Sequence, residues 1–422
     1  MKRRICILLA AFMLAFALTS CTDVNASITR NVSSVDATSM KEALANTEDF
    51  LHWKELTFSQ LQKRVVSGQP PDLIRTQVIL GHFDTLRGAG MITPFTPDET
   101  LVNDLETMPP FTRELIRKYL VTEDGKFWGC PQDFSLTTML FYVPDAWADS
   151  PFRDRTPPTS FEEFLDFAEL YLDTPHEGFC LLGLRTDEKY YTEWQILNLL
   201  LETWTIQKQY AGEPFQFISE EFVSLLDRTK KLLIRLQKEE PLTYKKQKGL
   251  RELFTNPDGR YDGGKTEVSR ELYNWDHMIP YRIYADQPPL VNVFGGSLIC
   301  VCNPDADPME VNRYMENLIR QRDWPEKHEV PYSAYTHPER MDADECNKEY
   351  FPEVKDGYMT QQWLDSIGRI QGVPCWLSEY FFDYASEEGK TGIESYEFAM
   401  KFIKNKKMSA EKYAQELERM SR

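Results

Sequence analysis

The stretch "GQPPDLIRTQVILGHFDTLRGAGMITPF", residues 68–95, decides how the chain is read. Residues 68–71 carry turn chemistry, because glycine accepts positive φ and consecutive prolines cannot donate to a strand ladder. Leu73 and Ile74 predict the heart of a short buried strand, and the run 78–86 predicts a helix that Gly88 and Gly90 end. Arg75, Thr76 and Gln77 stand between strand and helix. Open α/β sheets deliver side chains to a cleft in this way, from loops at strand ends. The stretch holds no phosphate-loop lysine and no nucleophile, so its chemistry is that of positioning and binding.

Working outward, strand and helix patterns alternate. "GKFWGCP" (125–131) predicts a turn into a strand, and "SLTTMLFYV" (135–143) is β-rich. "PPTSFEEFLDFAELYL" (157–172) predicts a helix capped by Thr159 or Ser160, with Glu162 and Glu163 at the positive end of its dipole. "CLLGL" (180–184) reads as a buried strand, "EWQILNLLLETW" (193–204) as a strongly apolar helix, and "SEEFVSLLDRTKKLLIRLQ" (219–237) as an amphipathic one. "VFGGSLICVCN" (293–303) predicts a strand entered through two glycines, and "DPMEVNRYMENLIRQ" (307–321) a further capped helix. Two helices separated near Met408 and Ser409 close the chain, and residues 40–66 predict one or two helices at the start. There are no internal repeats. Strands separated by helices imply an α/β fold with largely parallel sheets.

The first twenty residues form a targeting segment: Lys2, Arg3 and Arg4, then the apolar run "ICILLAAFMLAFAL", then Leu18-Thr19-Ser20-Cys21. The last four resemble a bacterial lipoprotein box, which implies lipidation of Cys21 and an extracytoplasmic chain anchored to the cell membrane. Residues 21–40, small and Ser/Thr-rich, read as a flexible tether, within which "ASITRNV" is the best candidate for an early strand. The rest, roughly 400 residues, exceeds what one core carries, so two lobes are expected. A formal charge of −18, more negative once the basic leader is gone, argues against a nucleic-acid partner. Aromatics at 13%, with nine Trp, supply material for stacking sites. Six cysteines lie beyond Cys21, namely Cys130, Cys180, Cys300, Cys302, Cys346 and Cys375; their spacing is not that of a zinc site, and buried free thiols are favoured over disulfides.

No catalytic signature stands out: there is no G-x-S-x-G, no H-E-x-x-H, no Walker loop and no dinucleotide fingerprint. The six histidines lack metal-ligand spacing, so no metal and no cofactor is expected. The carboxylate pairs Glu162-Glu163 and Glu220-Glu221 open helices, where they favour the dipole, and this speaks against glycosidase work.

Several separated pieces together resemble the family 1 extracellular solute-binding proteins of ABC importers, the large sugar-binding type related to maltose-binding protein. "SGQPPDLI" resembles that family's "sG-x-x-PDv" turn and strand, and "LRGAGMITPF" its following "G-x-l-x-pl". "GKFWGCPQDFSLTTMLFYVPDAWADSPFRDRTPPTSFEEFLDFAELY" resembles its "Gk-x-y-g-x-P…l-y-Y-N-k-d-l-f…PP-x-T-w-d-E-f" block in order and spacing. "FISEEFVSLLDRTKKL", "FGGSLICVCNPDADPMEVNRYMENLI" and the C-terminal helix pair complete the set, which together spans most of residues 60–422. The chain departs from the pattern in three places. Only fifty residues separate Cys21 from Asp72; the usual Tyr-Asn is Tyr142-Val143; and residues 322–360 are long and irregular.

The resemblance implies a two-lobe clamp: lobe I from 41–138 and 293–345, lobe II from 139–292, and C-terminal helices from 346–422 packing mainly on lobe II. It implies chain crossings near 135–140, 291–297 and 345–355, and a ligand in the cleft. It places Arg75, Thr76 and Gln77 at the rim, Asp133, Phe134 and Ser135 on the floor, and Tyr190, Tyr191 and Trp194 as a stacking cluster. It adds Trp275, Trp376, and the backbone at Phe294 and Gly295. It further implies a monomeric, non-enzymatic receptor that hands a carbohydrate to permease subunits. A peptide or cationic cargo, presentation to a membrane sensor, and a surface glycan hydrolase stay open as alternatives.

Overall fold

The computed structural model describes residues 31–35, 54–77, 82–137, 140–183, 190–239, 247, 249–255, 275–320, 341–350, 361–376 and 396–420. The lipobox, Cys21 and most of the tether lie outside these residues. In chain order the elements are β1 (Asn31–Val35), β2 (Lys54–Thr57), α1 (Phe58–Val66), β3 (Leu73–Gln77), α2 (His82–Gly88), α3 (Glu99–Thr107) and α4 (Pro110–Leu120). There follow β4 (Cys130–Thr137), β5 (Phe141–Tyr142), α5 (Pro144–Asp149), α6 (Phe161–Asp173), β6 (Phe179–Leu182), α7 (Tyr191–Ala211), α8 (Glu220–Glu239) and β7 (Arg251–Thr255). A short 3-10 turn (Trp275–His277) precedes β8 (Leu290–Val301), α9 (Pro308–Arg320), α10 (Ala343–Tyr350), α11 (Gln361–Gly368), β9 (Val373–Trp376), α12 (Tyr396–Lys404) and α13 (Ala410–Met420).

Local chemistry accounts for many of these boundaries. The Gly68 turn adopts φ 71°, a conformation that costs glycine nothing. Thr57 and Gln60 form a reciprocal capping box at α1. Of the two candidate caps for α6, Ser160 is the one whose hydroxyl accepts from the Glu163 amide, at 3.2 Å. Thr159 instead donates to the Glu163 carboxylate from both its amide and its hydroxyl. Helix α7 is buried on nearly every side, which is why it reads as apolar all round rather than amphipathic. It ends at Gly212 with φ 69°.

The strands form two sheets. The larger has the order β2-β1-β3-β8-β4 with β9 also on β8, and the smaller is β5-β7-β6. Helices flank both, as expected of an α/β fold. The expectation of largely parallel pairing is corrected: β1 with β2, β1 with β3, β3 with β8, β4 with β8 and β5 with β7 run antiparallel, and only β8 with β9 and β6 with β7 are parallel. The reason is β8, a long strand that returns from the second core into the first against the direction of both β3 and β4. A second correction concerns the tether, because residues 31–35 within it form a strand between β2 and β3. Residues 54–57 likewise form a strand, where the run 40–66 predicted only helix.

Two hydrophobic cores result. The first gathers Leu61, Leu73, Ile74, Leu101, Leu115, Leu120, Ile299 and Leu364. The second gathers Phe164, Leu165, Tyr171, Leu197, Leu200, Leu226, Phe254, Phe402 and Tyr413. Burying each such side chain stabilises the fold by roughly 1.5–3 kcal/mol. Leu140 already belongs to the second core, so the first crossing follows β4. Strand β8 starts in the second core at Leu290 and ends in the first at Leu298–Val301, which makes the second crossing. The third was expected at 345–355 but comes later. Leu364, Ile367 and Ile370 still pack in the first core, and the chain crosses at β9, whose Val373 packs against the second. Thus α11 packs in the first core, while α12 and α13 pack in the second.

Cys130, Cys300 and Cys302 are buried free thiols, and Cys180 is buried as well; the side chains of Cys346 and Cys375 lie outside the description. Burial pushes the Cys130 thiol up to about 12. Burial also pushes Cys302 up to about 12, with the Arg64 cation opposing and the Asp72 carboxylate adding to the effect.

Candidate functional site

Strand β8 organises the site. One of its edges is covered by β4 along its length, in register from Asn292↔Thr137 to Ile299↔Cys130. The other edge is shared: β9 pairs with Leu290–Val293, and β3 pairs with Ser297–Val301. Phe294, Gly295 and Gly296 pair with neither β3 nor β9 among the described residues; Trp376 is opposite Val293 and Gln77 opposite Ser297, and the segments that follow Gln77 and Trp376 lie outside the described residues.

On the other side, β4 and β8 slip and recover register. Pro131 pairs with Leu298, Asp133 with Ser297, and Ser135 with Phe294. β4 therefore carries one extra residue just before Asp133, and β8 carries one just after Ser135's partner, at its glycine pair. Two compensating bulges thus flank Asp133 and Ser297. Bulges of this kind re-aim side chains, and they cluster beside functional sites. Gln77, Ser297 and Asp133 lie in one row across three strands, about 4.8 Å apart from strand to strand. Thr76, one residue before the rim, is 2% exposed, and its hydroxyl has no hydrogen-bond partner among the described residues. Arg75 is half-buried, and its charge acts on the buried phenol of Tyr314.

The N-terminus of α7 supplies the aromatic part. Tyr190, the residue preceding the helix, has φ 72°, a left-handed conformation unusual for a bulky side chain, and its side chain makes no capping bond. Tyr190, Tyr191 and Trp194 are all half-buried, Tyr190 and Trp194 pack against the second core, and the rings of Tyr191 and Trp194 lie 5.5 Å apart at 40°. The other tryptophans with described side chains near this region differ: Trp147 and Trp204 are 5% and 3% exposed, in the second core. Trp275 is 6% exposed and packs edge-on to Phe141 at 5.5 Å. Its backbone amide donates to Ser366 Oγ, while its indole N–H has no partner among the described residues. Helix α7 packs against both β8 and β9, and near its C-terminal end Gln207 Nε2 donates to the Tyr281 and Pro288 carbonyls just ahead of β8.

Sequence reading missed three features. Ser297 is a polar break in an apolar strand, and that break was its signal. Thr192, Gln195 and Asn198 are buried polar residues of α7, visible only as Gln and Asn inside an apolar run. The Tyr142 and His277 rings meet at 4.8 Å near the first crossing. Burial holds His277 below the usual imidazole range, with the neighbouring Asp276 carboxylate opposing. Asp276 is itself paired with Arg369 at 2.8 Å.

A groove of about 460 Å³ beside α6, lined by Arg155, Pro157, Pro158, Glu163, Asp166 and Phe167, contains none of the candidate residues. Its carboxylates are already engaged, Glu163 by Thr159 and Asp166 by Arg228. Among the described residues no cluster of His, Cys, Asp or Glu could hold a metal ion, and no helix is long and apolar enough to cross a membrane.

No protein-family model and no curated protein matches the chain. Solved structures do resemble it. RafE from Streptococcus pneumoniae has 13% identity, with 86% of this chain and 87% of that chain covered, at a TM-score of 0.48. A family 1 extracellular solute-binding protein from Bifidobacterium longum subsp. infantis has 12% identity, 86% and 87% coverage, and a TM-score of 0.45. The cyclic alpha-maltosyl-1,6-maltose binding protein from Arthrobacter globiformis has 12% identity, 86% and 88% coverage, and a TM-score of 0.45. At such identity no site residue carries over from these proteins, and function has to be read from this chain's own side chains.

Proposed function

We propose that the protein is an extracytoplasmic solute receptor that captures a carbohydrate between two lobes and delivers it to an ABC permease, tethered through lipidated Cys21. The observation that carries this reading is the partly exposed aromatic trio Tyr190, Tyr191 and Trp194 at the start of α7, and the row Gln77, Ser297 and Asp133 across β3, β8 and β4 supports it. Sugars present flat C–H faces that stack on aromatic rings, and hydroxyls that bond to amides, hydroxyls and carboxylates. Three chain crossings between two cores support a clamp that closes on its ligand, because contacts from both lobes exist together only in the closed form. The mechanism is capture and closure, with no covalent step.

The test is a fluorescence titration with neutral oligosaccharides. Binding shifts tryptophan emission without releasing reducing ends, and Trp194→Ala weakens it by about 1–3 kcal/mol. Release of reducing ends sinks this reading in favour of a glycan hydrolase. Unchanged affinity with a lower melting temperature returns Trp194 to the core. The formal charge of −18 favours one second reading, a cationic solute in the same clamp. A thermal-shift screen across sugars, peptides and polyamines separates the two. For the anchor, Cys21→Ser is expected to release the chain from the membrane fraction, and full retention overturns lipidation there.

A further inference from the structure

Helix α7 is a buried rod that carries a polar stripe along one side, with Glu193, Thr203 and Gln207 as further buried polar residues off the stripe. Thr192, Gln195, Asn198, Glu202 and Thr205 follow one another at steps of three and four, which keeps them within an arc of about 140° at 100° per residue. All are buried; Thr192, Gln195 and Asn198 are 3%, 2% and 5% exposed. The two halves of the stripe differ in one respect. The C-terminal half is satisfied by protein: Tyr281 OH donates to Glu202 Oε2 at 2.9 Å, and the Thr205 hydroxyl donates to the Leu201 carbonyl at 2.7 Å. Asn198 is the junction, since its Nδ2 donates to Glu202 Oε1 at 2.9 Å while its Oδ1 is left open. Beyond it toward the N-terminus, the Thr192 hydroxyl and both amide atoms of Gln195 have no partner among the described residues. The open half ends at Tyr191 and Trp194.

An unpartnered buried amide costs on the order of 1–3 kcal/mol. Here several such atoms lie in the turns of α7 that start at the partly exposed Tyr191 and Trp194, and the same stripe is bonded toward the other end of the helix. We infer that Thr192, Gln195 and Asn198 form the inner wall of the ligand site and select a neutral, polyhydroxylated solute. This rests on the proposed solute-binding function and narrows it. The open atoms comprise acceptors (Gln195 Oε1, Asn198 Oδ1), a donor (Gln195 Nε2) and one hydroxyl that is both. A sugar hydroxyl also both donates and accepts, so a run of hydroxyls satisfies the set. The set carries no net charge, and the one carboxylate on the stripe, Glu202, is already held by Asn198 and Tyr281. A carboxylate entering here would lose its hydration without a counter-charge; an ammonium would find one only by reaching Glu193, buried about 100° around the helix from Thr192 and off the stripe.

The experiment compares the full chain with Thr192→Val, which is isosteric, and Gln195→Leu, which replaces the amide by a somewhat smaller apolar group. Maltotriose, cellotriose, triacetylchitotriose and a neutral glycan array serve as probes, with spermidine and a tripeptide as controls. Expected are binding of at least one neutral glycan by the wild type, a loss of tenfold or more in Gln195→Leu, and a smaller loss in Thr192→Val. The ligand-free melting temperature is expected to hold or rise in both, because an apolar side chain removes an unpaired amide or hydroxyl. If Gln195→Leu does not fold, Thr192→Val carries the comparison. Wild-type affinity in the variants, with a raised melting temperature, refutes the wall while leaving the receptor intact. A wild type that binds none of the glycans refutes the carbohydrate reading and the wall together, and spermidine binding in that case moves the receptor to the cationic reading.

Discussion

Replacing Asp72 by Ala tests how the opening turn is fastened. Asp72 is 4% exposed; its Oδ1 accepts from Asn303 Nδ2 at 2.7 Å, and its backbone carbonyl accepts from the Cys302 amide at 2.9 Å. The side-chain bond ties the start of β3 to the link between β8 and α9. The backbone bond holds the same two segments in register and survives the substitution. A hydrogen bond to a charged group contributes about 1.5–3 kcal/mol, and its removal leaves the half-buried Asn303 amide short of a partner. The expected loss is therefore about 2 kcal/mol in urea unfolding, appearing as a lower midpoint with little change in slope. In a double-mutant cycle with Asn303→Ala, most of that loss is shared, with a coupling of about 1–2 kcal/mol. Ligand affinity of the folded variant stays near that of the wild type, because the β3–β8 register that presents Thr76 and Gln77 is backbone-made. A coupling below about 0.5 kcal/mol refutes the fastening. Lost binding at unchanged stability refutes it differently, by making Asp72 a ligand contact.

Two further predictions follow from local geometry. A Cβ added at Gly129 meets the Ile299 carbonyl oxygen at 2.5 Å and Cys300 Sγ at 2.9 Å, whereas one added at Gly88 meets nothing within 4 Å. Gly129→Ala is expected to lose about 1–3 kcal/mol by overpacking the β4–β8 seam, and Gly88→Ala to change urea stability little; equal effects refute the close approach. Burial depresses the His277 imidazole, so the folded state binds its proton less readily than the unfolded chain does. The group's contribution is then whole above about 6.5, the ordinary imidazole value, and declines as pH falls below it toward the depressed folded value. Stability measured from pH 7.5 down to 5 is expected to fall less steeply in His277→Gln than in the wild type, and parallel profiles refute the assignment.

Much of the fold was legible in local pattern. Glycines and prolines at 68–71, the apolar pair Leu73-Ile74, the cap at Ser160 and the period of 161–173 are local signals, and the corresponding elements stand where they predict. Alternating strands and helices in a chain too long for one core also pointed to two α/β lobes. Strand direction was not legible, because pairing partners far apart in sequence set it: β8 meets β3 and β4 from more than 150 residues away. The strand hidden in the Ser/Thr-rich segment at 31–35 was obscured for the same reason, since its composition is that of a linker and only β2 and β3 on either side make it a strand.

The sequence by itself determined which residues could serve a binding site: a polar triplet after a strand, an aromatic cluster at a helix start, and a glycine pair inside an apolar strand. Periodicity and turn chemistry act over a few residues, and that range suffices to place such groups at the ends of elements. Only the tertiary structure decided how they meet. It set Gln77, Ser297 and Asp133 in one row, and kept Trp194 half-buried while Trp275 packed against Phe141. It also buried the Gln195 amide and the Asn198 carbonyl oxygen without a partner among the described residues. Burial and hydrogen-bond satisfaction are properties of packed neighbours, and those neighbours come from distant parts of the chain.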